Sequence, residues 1–338
     1  MIAEENIYNI LVRVDANDVI GMAHVIRTAQ LINQFNFKFH IFLLSNDEIV
    51  KKYIHCREFI KLKDNEMSSL STVLSQVKPD LVIIDYPLMN KSLWEAYRNK
   101  SNVIAVDDYG GEVIADVIIN GTVLNEYHLY PKIKESTKVF AGISYALIRT
   151  QFLSRTWKYN PDGHVTIVIG SGENAIKWVL FLCENIRNIL NSIKINIVVN
   201  SNFSEINKLK ENCNINKIDV YQDLNADELS KQFVNSQYVI ITGGTLLYEA
   251  VAVGVPAIVY PQFKNLIKEV DWFEKKDAII NLEYSGAFDS IKLEKIIKKI
   301  TNNKKYLSNM SNKQKILFPK TQFPMVLKEI KKLLNISK

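Results

Sequence analysis

What most limits how this chain can fold is a rhythm: short runs rich in valine and isoleucine alternate with longer amphipathic stretches. An apolar run of about five residues is too short for a helix and reads as a strand covered on both faces. The stretches between carry the three-to-four-residue spacing of a helix. Strand and helix in strict succession predict a parallel sheet with crossover helices, so the class is α/β. Strands are expected at 9–14, 38–44, 80–85, 102–106 and 117–119, with helices at 24–34, 67–76 and 92–99. A turn-rich stretch, 155–163, with Asn160-Pro161-Asp162-Gly163, interrupts the pattern and is read as a linker. The rhythm then restarts, with strands at 165–169, 195–199, 218–221, 238–241 and 257–260 and helices at 174–189, 246–253 and 266–275.

A chain of 338 residues is long enough for two such cores. The expected division is a Rossmann-like domain over 1–154, a second over 164–315, and a basic C-terminal helix over 316–338 that packs back on the first. Two doubly wound domains in succession predict a GT-B arrangement, with an interdomain cleft at the carboxyl ends of the strands, where ligands of such folds bind.

Composition removes several function classes. No apolar run is long enough to span a bilayer, and the segment 1–9 lacks the basic and apolar regions of a secretory signal, so a cytoplasmic location is expected. Cys56, Cys183 and Cys213 stand far apart with no CxxC spacing, which fits reduced thiols rather than a disulfide framework or zinc site. The net charge of +6 is concentrated in the last 48 residues, which hold thirteen lysines and two glutamates, so the rest is mildly acidic. Solvated helix faces are the plain explanation of those lysines, and peripheral attraction to an anionic membrane surface the sharper one. Nucleic acid is not an expected partner, because the lysines are not interleaved with aromatic residues in a groove pattern.

Three strand-to-helix junctions carry the chemistry. The first strand runs through Arg13, Asp15 and Asn17 to Gly21 and then His24 near the start of a helix. The positive end of a helix favours a neutral imidazole, which a general base requires. Asp15 could orient His24 or bond loop amides. In the second half, Thr242-Gly243-Gly244-Thr245 links a strand to a helix, where bare backbone can approach a diphosphate and Thr245 can cap the helix. Glu249, one turn on, could accept both hydroxyls of a ribose. Gly170-Ser171-Gly172-Glu173-Asn174 repeats this logic as a phosphate loop or a plain turn. Asp107-Asp108 ends a strand, but with no third ligand in view hydrogen-bonding roles are expected, and no metal or cofactor. GxxxxGK[ST] and HExxH are absent from the sequence.

Taken together, these residues resemble the UDP-diacetamido-trideoxyhexose hydrolases of the pseudaminic acid pathway and their spore-coat polysaccharide relatives. The resemblance rests on Arg13, Asp15, Gly21, His24 and Arg27 in the spacing R-x-D-x(5)-G-x-G-H-x-x-R. It continues through Asp85, Asp107-Asp108, Gly142 with Tyr145 to Arg149, Gly170 with Glu173, and Gly243-Gly244-Thr245 to Glu249 with Ala252, Gly254 and Pro256. It implies a GT-B fold and metal-independent hydrolysis of a UDP-sugar to free sugar and UDP, with His24 activating water and Gly243, Gly244, Thr245 and Glu249 holding UDP. A glycosyltransferase using a UDP-sugar donor and a non-catalytic nucleotide-sugar-binding paralogue are the alternatives. The chain departs from the pattern at Ala23, where the family has glycine, in the Gly170 loop, at Tyr86-Pro87, and at Asn265-Leu266, where an Asn-Gln pair is expected.

Overall fold

A computed structural model describes residues 6–17, 20–62, 66–131, 133–169, 173–190, 193–200, 203, 205–215, 218–283, 289–318 and 322–336. The chain forms two compact units, Met1–Leu147 with Lys320–Lys338, and Ile148–Pro319. The division precedes the stretch read as a linker. Trp157 explains why that stretch belongs to the second unit: its indole is buried and donates to the Ser236 carbonyl at 2.7 Å.

The first unit is built on a seven-stranded sheet: β1 (Tyr8–Val14), β2 (Phe39–Ser45), β3 (Glu58–Lys61), β4 (Leu81–Asp85), β5 (Asn102–Val106), β6 (Val117–Asn120) and β7 (Lys138–Ala141). Their order is β3-β2-β1-β4-β5-β6-β7, parallel throughout. Helices α1 (Ala23–Ile32), α2 (Glu66–Val77) and α3 (Lys91–Arg98) cover it. Alternation along each strand sorts the core into two layers. Ile10, Val12 and Val14 of β1 join Val25 and Leu31 of α1, whereas Leu11 joins Leu70, Val73 and Leu74 of α2 and Trp94 and Tyr97 of α3.

The second unit opens with the single-turn helix α4 (Thr150–Leu153). Its sheet is six-stranded: β8 (His164–Val168), β9 (Ile195–Val199), β10 (Asp219–Gln222), β11 (Ser236–Ile241), β12 (Ala257–Val259) and β13 (Ile280–Asn281). The order β10-β9-β8-β11-β12-β13 repeats that of the first unit without its last strand. Its further helices are α5 (Glu173–Ile189), α6 (Ile206–Ile215), α7 (Ala226–Asn235), α8 (Thr245–Val253), α9 (Ile267–Glu274), α10 (Ser290–Ile300) and α11 (Lys304–Leu317). Cys183 on α5 and Cys213 on α6 are buried free thiols whose sulfurs lie 3.2 Å apart. The last helix, α12 (Phe323–Leu333), belongs to the first unit, where Val326 and Ile330 enter the same layer as α1. No helix among the described residues is long and apolar enough to cross a membrane.

In each unit the chain reverses direction across the sheet at one point, between β1 and β4 and between β8 and β11. In open sheets of this kind ligands bind at such a point, outside the carboxyl ends of the strands.

Candidate active site

Strand parity builds the site in the first unit. On β4, Leu81 and Ile83 face the α1 layer while Val82 and Ile84 face α2 and α3. Asp85 is in step with 81 and 83, so it ends the strand pointing at α1. That helix presents His24, Arg27 and Thr28, three and four residues apart, on one face. All three converge on the carboxylate. His24 Nδ1 lies 2.6 Å from Asp85 Oδ1, Arg27 donates through Nε to Oδ2 at 2.7 Å and through Nη2 to Oδ1 at 2.6 Å, and Thr28 Oγ1 donates to Oδ2 at 3.0 Å. Arg27 Nη1 reaches on to Asp108 Oδ1 at 2.6 Å.

The electrostatics follow. Burial pushes the Asp85 carboxyl up, but Arg27 and His24 together outweigh it and hold the group well below the usual carboxylate range. Burial likewise disfavours the Arg27 cation, and Asp108 and Asp85 outweigh it, so its proton affinity rises. An ionised carboxylate can only accept, so Asp85 favours a proton on Nδ1 of His24, against Arg27 Nη2, a donor 3.1 Å from the same nitrogen; in that tautomer of a neutral ring Nε2 keeps its lone pair. The side chain of His24 is 13 % exposed, and among the described residues Nε2 has no hydrogen-bond partner. One ring nitrogen of His24 is thus held by a carboxylate, an arrangement by which proteins fix the tautomer and orientation of a histidine ring.

Several expectations need correction. Asp15 does not orient His24. Its oxygens accept from Ser45 Oγ at 2.7 Å, Asn46 N at 2.8 Å and Asn46 Nδ2 at 2.9 Å, and it pairs with Arg13, so it ties down the loop after β2. Arg13 is not placed to touch a ligand, because parity turns it toward α2. It is fully buried, donating to Glu66 at 3.0 Å beneath the Tyr86 ring. Asn17 is exposed, and its side chain closes the β1 loop by bonding Asp47 and the Ile20 amide. Gly21 has φ +80° with open space around a would-be Cβ, so the turn rather than crowding requires glycine. Ala23 lies inside α1 and is not among the residues of positive φ, so its methyl group introduces no backbone strain. Asp107 and Asp108 diverge: Asp107 binds Gly110 N at 2.7 Å and the Tyr130 hydroxyl at 2.8 Å, while Asp108 holds Arg27. Among the described residues no group of three or more side chains could hold a metal ion.

In the second unit, Gly243 and Gly244 turn the chain from β11 into α8 with φ of +89° and +63°. Side chains rarely adopt such angles, which is why two glycines stand together. Gly244, not Thr245, is the N-cap. Thr245 is the first helical residue; no side chain caps the helix, and Leu247 N donates to the Gly244 carbonyl at 3.0 Å. Leu266 packs beside the turn, and Asn265 next to it is exposed. Glu249, expected to accept from a ribose, is engaged by a side chain of its own unit. It is fully buried, and Arg149 grips both its oxygens, Nε to Oε1 at 2.6 Å and Nη2 to Oε2 at 2.7 Å. Gly170 and Ser171 lie outside the described residues.

Asp85, Arg27, Thr28 and Asp108 complete the site around His24, yet single-residue reasoning did not assign them to it. The parity of β4 and the His24–Arg27–Thr28 spacing are the signals that point to them.

No family model matches the chain. An uncharacterized protein of Methanocaldococcus jannaschii is 26 % identical over 267 residues, which cover 73 % of this chain and 54 % of that protein; the chain thus spans about half the length of the curated relative it matches. Among solved structures, MurG of Acinetobacter baumannii superposes with a TM-score of 0.63 at 15 % identity, covering 96 % of this chain and 99 % of that one. The UDP-GlcNAc 2-epimerase of Neisseria meningitidis bound to UDP-GlcNAc gives 0.57 at 13 % identity, covering 97 % and 100 %. The fold is GT-B, with two Rossmann-like parallel-sheet units.

Proposed function

We propose that the protein processes a nucleotide-activated sugar and hydrolyses it, releasing the free sugar and UDP. The observation that carries this reading is the 2.6 Å contact between His24 Nδ1 and Asp85. With Nδ1 committed, Nε2 is the nitrogen that takes a proton from water as the water oxygen attacks the anomeric carbon. The bond from that carbon to the diphosphate oxygen breaks, and UDP leaves with the electron pair. The positive-φ Gly243-Gly244 turn at the start of α8 supports a diphosphate contact, since main-chain amides and the helix dipole both favour an anion there. Likeness of fold to an epimerase bound to UDP-GlcNAc supports the substrate class. A UDP-linked diacetamido-trideoxyhexose is the substrate suggested by the sequence resemblance.

Incubation with UDP-sugars in ¹⁸O-labelled water tests the reading. Label in the free sugar and none in UDP is the expected result, and His24→Ala should lower the rate by about 10²–10⁴-fold. Absence of UDP release by the wild type, or full rate in His24→Ala, would overturn it. Transfer to an added acceptor without free sugar would instead mark a transferase.

A further inference from the structure

The loops that leave β4, β5 and β6 at their carboxyl ends each hold a large apolar side chain in water: Leu88, Tyr109 and Leu129. Tyr109 is the informative one. It follows Asp108, the carboxylate that holds Arg27, so it stands one residue from the network that fixes His24.

The Tyr109 loop is held in place from both sides. Gly110 N donates to Asp107 Oδ2 at 2.7 Å, and Gly111 N donates to the Leu129 carbonyl at 2.8 Å. Gly110 has φ +72°, and a Cβ there would come within 2.8 Å of the Tyr127 and Leu129 carbonyl oxygens, so the loop lies directly on the segment 127–129. The Tyr109 ring meets Tyr127 edge-on, with centroids 5.6 Å apart. A tyrosine 47 % exposed and braced in this way forgoes burial while its loop is already held by these bonds. Those are the properties of a preformed stacking surface, because little ordering is left to be done when a ligand arrives.

We propose that Tyr109, braced by Tyr127, is a specificity-determining residue whose ring is the platform for the sugar of the nucleotide sugar beside His24. The proposal rests on the substrate class given under Proposed function. One face of a pyranose ring presents C–H groups with partial positive charge, and the face of an aromatic ring is negative, so the two attract while apolar area leaves water.

The test is calorimetric binding of UDP and of a panel of UDP-hexoses to wild type, Tyr109→Ala and Tyr109→Phe, with thermal melts of all three. At least one UDP-hexose should bind the wild type more tightly than UDP. Tyr109→Ala should weaken that complex about ten-fold with affinity for UDP and the melting temperature unchanged, and Tyr109→Phe should retain wild-type affinity. The proposal is overturned if no sugar binds more tightly than UDP, if Tyr109→Ala keeps the full sugar increment, if UDP binding falls in parallel, or if Phe behaves as Ala. Cleavage of the bound sugar is scored separately: a platform that binds sugar without UDP release would sink the hydrolase reading and leave the platform standing.

Discussion

Asp85 Oδ1 lies 2.6 Å from His24 Nδ1, joining the end of β4 to the first turn of α1. Because the carboxylate only accepts, it selects the ring tautomer. An amide in its place could turn its NH₂ toward Nδ1 and stabilise the wrong one. Asp85→Asn should therefore lower kcat by about 10²–10⁴-fold, with UDP affinity unchanged, in steady-state kinetics and calorimetry. Wild-type turnover in this variant would remove Asp85 from the mechanism.

The same carboxylate makes stability depend on acid. Its proton affinity in the folded chain is depressed by Arg27 and His24 against the opposing effect of burial. As the pH falls, the unfolded chain binds the proton first, so the stabilisation is complete above the ordinary carboxylate pKa of about 4 and drains away below it. Thermal melts should show the midpoint dropping from about pH 4 downward, with a shallower slope in Asp85→Asn across that window. Asp15, whose pKa is also lowered, leaves a residual slope in the variant.

Gly244 combines φ +63° with ψ −143° at the N-cap of α8, a conformation open in practice to glycine alone. Gly244→Ala should cost about 1–3 kcal/mol, lowering the melting temperature by several degrees. It should also weaken UDP binding measured by calorimetry. Unchanged UDP affinity in a folded variant would count against this turn as the diphosphate contact.

Arg149 supplies the cation that meets the fully buried Glu249. Arg149→Ala would strand a carboxylate in the core and should destabilise the protein by about 3–5 kcal/mol in urea titrations. Arg149→Met with Glu249→Leu, which removes both charges together, should recover most of that loss. If the double variant binds UDP normally, Glu249 is a structural residue and not a ribose ligand.

The central strands were legible because each is covered on both faces and must be apolar along its length. Three strands were not foreseen: Glu58–Lys61, Lys138–Ala141 and Ile280–Asn281 all lie at sheet edges. A short edge strand has one neighbour and partial burial, so polar residues such as Glu58, Lys61 and Lys138 interrupt the apolar run that would announce it. The α1 end of the site was legible for a similar reason, since a glycine turn and a histidine at a helix start are local features.

The order of residues alone determined the α/β class, the two-unit organisation, the glycine turns and the position of His24 at the head of α1, because strand burial, positive φ and helix periodicity are each set within a few residues. Tertiary structure decided which charged groups meet. Asp15 lies nine residues from His24 in sequence and bonds the β2 loop, while Asp85, sixty-one residues away, grips the imidazole. Glu249, well placed in sequence to receive a ribose, is filled by Arg149, a hundred residues distant. Partnership between charges depends on which strand neighbours which and on which face each side chain takes, and the order β3-β2-β1-β4 settles both only when the sheet is assembled.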